Sequence, residues 1–247
     1  MSDKIQIKMK NLIPSFFALI LLLSCKNDKS KDNFELTGNI KGFKSGKLFI
    51  QRLVDTNLVV IDSIIIDGNS EFSSSFELKS PEMLYLFIDR GVTNSLDNNL
   101  QFFAEPGKMN IDTDLELFFM KAKITGSKNQ RSFEEFVKVN REFNNQILEL
   151  TAAKFKVFKN KASSDSIVTL QNDIVKRKYL FALNFAINNN DLEVAPFIAL
   201  TEINDINLKY LNMIQKSMTP NVAKSLYGKK LIALYTERYK LEQSISK

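Results

Sequence analysis

There is no histidine in this chain of 247 residues, and only one cysteine. The first absence removes the commonest general base and the commonest metal ligand. A single thiol forms no intramolecular disulfide, and no zinc set of Cys and His can be assembled around it. There is no C-x-x-C pair, no G-x-S-x-G elbow and no Gly-rich phosphate loop; Gly126-Ser127-Lys128 is too short to match a P-loop. Catalysis would have to rest on Asp, Glu, Lys, Ser or Tyr, and no cofactor is expected. The apolar run from Leu12 to Leu23 covers 12 residues, well short of the ~20 a bilayer-spanning helix needs. Pro14 near its start argues against a long rigid span.

That short run has a different reading. Lys4, Lys8 and Lys10 precede it as a basic n-region, and Leu12–Leu23 is the h-region of a signal peptide over residues 1–24. Met9 is an alternative start. The run closes on Leu22-Leu23-Ser24-Cys25, an order that resembles a lipobox, with cleavage between Ser24 and Cys25. The resemblance implies that Cys25 becomes the first residue and carries a diacylglyceryl thioether. Each buried methylene contributes roughly 0.8 kcal/mol, and two chains give stable anchoring. An ordinary secreted protein with a chance cysteine, and a cytosolic protein with an apolar N-terminus, are the alternatives. Residues 25–33 begin Cys25-Lys26-Asn27-Asp28-Lys29-Ser30-Lys31-Asp32, a polar, charge-alternating tether. Lys26, rather than Asp, follows the cysteine, which resembles routing to the outer membrane. The side of that membrane stays open.

The formal charge is +6; residues 1–24 hold three lysines and one aspartate, which leaves about +4 on the remaining 223 residues. That mild excess fits a solvated surface better than a polyanion site, and an envelope location excludes nucleic acid as a partner. The apolar fraction of 44% and 20 phenylalanines support a real core.

Two periodicities divide the body. From 34 to 126 lie short strand-like stretches: Phe34–Ile40 and Phe72–Phe76 alternate apolar and polar residues at the period of a half-buried strand, Leu58–Ile66 is strongly β-branched, and turn residues set off the rest. The stretches are Phe34–Ile40, Lys47–Ile50, Leu58–Ile66, Phe72–Phe76, Met83–Ile88, Leu100–Ala104, Met109–Thr113 and Lys121–Thr125. Turn signals at Asp67-Gly68-Asn69-Ser70, Pro81 and Glu105-Pro106-Gly107 separate them. From 127 to 247 the period is helical. Phe133, Phe136, Val137, Phe143, Ile147, Leu150 and Phe158 line one face of a long helix, and Ser132 with Glu135 resembles its capping box. A polar turn at Lys159–Ser164 precedes a second helix from Asp165 to about Asn188, giving an antiparallel hairpin. Shorter helices follow over 207–218 and 221–241, the last opened by Pro220; Pro196 suits a first turn. The expected class is therefore α+β: an N-terminal antiparallel β-sandwich or barrel-like domain followed by an all-α helical region.

Candidate chemistry is thin. Glu134-Glu135 and Asp112/Asp114 are acidic pairs of the kind that face solvent. Lys154, Lys156, Lys159 and Lys161, and Lys176-Arg177-Lys178, read as solvated helix faces. The phenylalanine stripe reads as core rather than as a ligand slot. A carboxylate-based hydrolase would need two facing carboxylates roughly 5–9.5 Å apart.

Phe34–Gly42 with Gly46-Lys47-Leu48 and Asp62-Ser63 forms part of a recognisable order. Ile66-Asp67-Gly68 with Phe72 and Phe76, Glu105-Pro106-Gly107, and Ile124-Thr125-Gly126-Ser127 continue it. In the helical part Ala195-Pro196 and Ser225-Leu226-Tyr227-Gly228-Lys229-Lys230-Leu231 fit as well. The chain thereby resembles the N-terminal domain of unknown function, with its helical linker, of periplasmic thiol-disulfide oxidoreductase lipoproteins of Gram-negative bacteria. In that family a thioredoxin-like module with a C-x-x-C pair normally follows the helices; the chain stops at Lys247, about where it would begin. No matched position is catalytic in the family, and Asp62-Ser63 and Glu105-Pro106-Gly107 are expected at strand ends and turns. The functional expectation is a lipid-anchored, non-catalytic binding or scaffold module of the cell envelope. Its partners would be the membrane, through the N-terminal lipid, and an envelope protein. One alternative is an accessory domain acting in trans with a separate thioredoxin-like oxidoreductase; another is a truncated relic of the longer family.

Overall fold

A computed structural model describes residues 32–90, 96–157 and 161–245. The signal peptide expected over 1–24, Ser24, the lipidation site Cys25 and all of the tether but its last two residues lie outside the described residues, as do Phe158 and Lys159.

All eight expected strands form: β1 (Phe34–Lys41), β2 (Ser45–Val54), β3 (Asn57–Asp67), β4 (Glu71–Phe76), β5 (Glu82–Asp89), β6 (Asn99–Ala104), β7 (Gly107–Asp114) and β8 (Lys123–Thr125). They make two four-stranded sheets, ordered β4-β1-β7-β8 and β3-β2-β5-β6. β1 runs parallel to β7, and the other pairings are antiparallel. The alternation in β1 sends Phe34, Leu36 and Ile40 inward. They meet Leu48, Ile50, Leu84, Leu86, Leu100 and Phe102 of the second sheet in one core.

The second sheet is apolar on both faces near β5 and β6. Met83 and Phe103 point away from the sandwich core and join a separate core built by the helices. Those helices are α1 (Lys128–Lys156), α2 (Lys161–Asn188), α3 (Val194–Glu202), α4 (Leu208–Ser217), α5 (Pro220–Lys224) and α6 (Leu226–Ile245). The described residues from Asp32 onward pack as one compact unit.

Strand β2 is longer than expected, β8 is shorter and the last helix runs on to Ile245; three further helix boundaries differ for reasons the contacts show. α1 starts at Lys128, and its cap is Ser127, whose Oγ accepts from the Gln130 amide at 2.9 Å; Ser132 lies inside the helix. Ser127 and Gln130 have capping-box spacing, but the Gln130 side chain turns to the sheet instead. α2 starts at Lys161 rather than Asp165, because Lys161-Ala162-Ser163-Ser164 contains no helix breaker. The expected 221–241 helix is broken at Ser225, which is extended. Its Oγ donates to the Val222 carbonyl at 2.6 Å and accepts from the Gly228 amide at 3.2 Å, closing one helix and opening the next.

α1 and α2 form the expected hairpin. Phe136 packs on Phe181 and Phe185 with ring centroids 5.2 and 5.0 Å apart, and Phe143 packs on Phe181. Further out the contacts turn polar, as in Gln171 Nε2 donating to Thr151 Oγ1 at 2.8 Å, and Leu148, Phe155 and Leu170 are exposed.

Candidate functional site

The joint between sheet and helices is built from backbone groups that the strands leave over. At the outer edge of β6, the Phe103 amide donates to Gln130 Oε1 at 2.6 Å. Phe103 N–H thus points away from β5, so by antiparallel alternation Met83 N–H points towards β2. The β2–β5 pairing ends at Arg52 and Leu84, and the Met83 amide finds Tyr227 Oη at 3.0 Å instead. Leu226 N–H, at the start of α6, donates to Ser80 Oγ at 3.0 Å. Burial pushes the Tyr227 phenol well above its ordinary range, and it stays neutral. Below it, Arg52 forks Glu82 with Nε and Nη2 at 2.7–3.0 Å. Glu82 is buried and its charge is matched, so this cluster holds the joint rather than offering a free acid or base.

Glu105 ties the β6–β7 turn to α1. Its carboxylate accepts from the amides of Lys128 and Asn129 at 3.0 and 3.1 Å, from Ser127 Oγ at 3.1 Å and from Asn129 Nδ2 at 2.9 Å. Burial raises its pKa, but the four donors outweigh burial and hold the carboxyl below its ordinary range. Asn129 passes the link on: its Nδ2 donates to Glu193, and its Oδ1 accepts from the Val194 amide at 2.8 Å.

Docking α1 beside β6 leaves a groove of about 360 Å³ between the helix, Leu100 and Gln101 of β6, and the β7–β8 connection. Phe118 of that connection is buried, its carbonyl accepting from Thr113 Oγ1 at 2.7 Å. Asp114 accepts from the Leu117 amide at 3.0 Å and from Lys121 Nζ at 2.6 Å. With the connection pinned at these points, Phe119 and Met120 stand out, 57% and 76% exposed. On α1, Phe133 and Val137 floor the groove at a four-residue spacing, and Glu134, Lys138 and Arg141 rim it.

Each candidate from the sequence has a place. Glu134 and Glu135 are exposed on α1; Glu134 accepts from Gln130 Nε2 at 2.8 Å. Asp112 accepts from Asn110 Nδ2 at 2.7 Å. Glu134 borders the groove without Glu135, and Asp112 lines a shallow surface beside Glu71 without Asp114, so neither pair converges on one site. Lys154, Lys156 and Lys161 are exposed. Lys176-Arg177-Lys178 divides: Lys176 faces out, whereas Lys178 turns in to Glu202 at 3.4 Å and Asn144 Oδ1 at 3.0 Å. Asp62-Ser63 is not a strand end. It lies within β3, next to the register shift opposite Ile50/Gln51, and the Asp62 carboxylate accepts from Ser74 Oγ across the open edge of the sandwich. The extra residue of the bulge lets the strand continue past these polar side chains. Among the described residues no three Asp, Glu or Cys side chains assemble a metal-ligand group, and no helix is long and apolar enough to cross a membrane. Sequence reasoning missed the groove. Its one local signal is Phe118-Phe119-Met120, an apolar run inside a turn.

Residues 34–133 match a family described as Domain of unknown function (DUF4369). The matched segment holds the whole sandwich and the first turns of α1, including Ser127, Gln130 and Phe133. No curated protein and no solved structure matches the chain.

Proposed function

We propose that this chain is a lipid-anchored cell-envelope protein that binds a partner protein without transforming it. The carrying observation is the groove beside α1, where a pinned connection holds Phe119 and Met120 in solvent. Large apolar side chains clustered at a concave, charge-rimmed surface are the usual mark of a contact site. Phe133 and Val137 receive apolar side chains of the partner. Lys138 and Arg141 meet its acidic groups; neither forms an ion pair among the described residues. The anchor rests on Leu22-Leu23-Ser24-Cys25.

Two measurements test the two halves of this reading. The intact mass of membrane-purified protein should equal residues 25–247 plus acyl chains, and the acyl mass should vanish in Cys25→Ala. A free thiol on Cys25 rejects the anchor. For the groove, a photoreactive phenylalanine at position 119 should give one discrete protein adduct in envelope membranes. Arg141→Glu with Lys138→Glu should reduce it at least tenfold. An adduct indifferent to those charges rejects the groove. A C-x-x-C protein in the adduct would identify the partner as a thioredoxin-like oxidoreductase.

A further inference from the structure

A two-sheet sandwich has four edges, and here three are covered, short or polar. β6 is covered by α1 through Gln130. β8 has three residues. β4 has six and turns Glu71, Ser73 and Ser75 to solvent. β3 differs: it runs eleven residues at the end of its sheet. Leu58, Val59 and Val60 are a little under half exposed, and Ile65 is 75% exposed. It carries neither lysine nor proline, the residues that ordinarily protect such an edge from pairing.

The main-chain groups on that edge can be assigned. Gly68 N–H donates to the Lys44 carbonyl at 2.7 Å, so Lys44 and Gly68 are a hydrogen-bonded pair. Alternation then puts Ile66 and Ile64 against β2, and turns the N–H and C=O of Ile65 and Asp67 and the C=O of Ser63 to the free side; the Ser63 N–H donates to Asp62 Oδ1 at 2.8 Å. Side chains add a second condition. From Leu53 to Gly68 there are three aspartates, Asp55, Asp62 and Asp67, and no Lys or Arg, in a chain of net charge +6. A second copy would pair badly. Full-length symmetric pairing of β3 with itself sets Asp62 opposite its own copy, and like charges directly opposite destabilise a ladder.

We propose that β3 is a docking edge, and that an extended, lysine- or arginine-bearing segment of a partner protein adds there as the fifth strand of its sheet. The main chain of Ile65 and Asp67, with the Ser63 carbonyl, supplies the ladder, and the exposed Asp55 and Asp67 select the basic segment, Asp62 being held by Ser63 N–H and Ser74 Oγ. Apolar residues at alternate positions of the added strand extend the outer face on which Ile65 lies, beside the stacked rings of Phe49 and Phe87. This edge lies across the sheet from the groove and is independent of it.

The probe is the peptide acetyl-Lys-Val-Thr-Val-Lys-Val-Thr-Val-Lys-amide, titrated into the full-length, isotope-labelled chain and followed at backbone amides. Shifts and exchange protection should centre on Ile65 and Asp67. The same peptide with Glu for Lys should bind at least tenfold more weakly. Ile65→Pro deletes one outward N–H and leaves the Ile64 and Ile66 bonds to β2, a position where an edge strand tolerates proline; binding should fall at least tenfold. Should the proline unfold the sheet, Ile65→Lys keeps the amide, places a repelling charge on the edge, and should weaken the lysine peptide to the same degree. Equal binding of both peptides, shifts centred elsewhere, or no binding at millimolar peptide would overturn the proposal. A concentration-dependent dimer dissolved by Ile65→Lys would hand the edge to a second copy. Phosphatidylglycerol vesicles that bind the chain only when Ile65 is intact would hand it to lipid.

Discussion

At Gly38, in the middle of β1, the neighbours approach the Cα from two sides. A Cβ there would lie 2.1 Å from the Ile111 carbonyl oxygen and 2.6 Å from the Phe72 ring. The first contact is backbone in a sheet ladder and cannot give way. Gly38→Ala should therefore cost about 3 kcal/mol, the upper end of the overpacking range, measured as a fall in the urea midpoint. Gly228 has the same character, since a Cβ would meet the Val222 carbonyl at 1.9 Å, and α6 crosses α5 only because none is there. Tyr227 is a cleaner residue to test. Its ring packs on Phe197 and Phe103 at 5.0 and 5.9 Å, and Tyr227→Phe keeps those contacts. What it removes is the one acceptor of the Met83 amide. An orphaned buried N–H costs about 1–3 kcal/mol, and that loss should appear in equilibrium unfolding while the helical far-UV signal is unchanged. A variant as stable as the parent would show that water replaces the hydroxyl.

The element that depends most on a single charge is α1. Its first amides face Glu105, which combines a cap for orphan N–H groups with an anion at the positive end of the helix dipole. Because the folded carboxyl lies below its ordinary value, the ionised form stabilises the native state. That contribution is complete above the unfolded value of 4.5 and is lost as pH falls through the lower folded value. Stability should drop below about pH 4.5, and Glu105→Gln should flatten that part of the curve. An unchanged acid limb in the variant would assign the loss to other carboxylates. The elements themselves were legible: alternation in β1 and β4, β-branching in β3 and turn residues between the rest located the strands, and the phenylalanine stripe with the polar turn after it located the α1–α2 hairpin. The ends were less so. Ser127 and Ser132 both stand three residues before a Gln or Glu, and only the position of the β6–β7 turn, with Glu105 on it, decides between them. The groove was not legible because it exists only once Gln130 has docked α1 against β6. Nothing along the sequence marks that the β2–β5 ladder stops at Arg52 and leaves the Met83 amide for Tyr227.

For the whole molecule, the two periodicities meet in one folded unit. The sandwich closes its own core, yet the second sheet turns Met83, Tyr85 and Phe103 outward into the helical core. It also borrows acceptors from Gln130 and Tyr227 for two of its amides. A fragment ending at residue 126 would expose those three side chains and leave both amides without their partners. Water satisfies the freed amides, but each large apolar side chain returned to water costs roughly 1.5–3 kcal/mol. Three of them remove a large part of the ~5–15 kcal/mol that holds a domain together. The chain from 32 to 247 should therefore unfold in one transition, with far-UV helix signal and near-UV aromatic signal lost together. The fragment 32–126 should show little amide dispersion and no cooperative melt. A fragment that melts cooperatively within a few degrees of the longer chain would mean that the sandwich stands alone. The helices would then be an attachment to its outer face rather than its second wall.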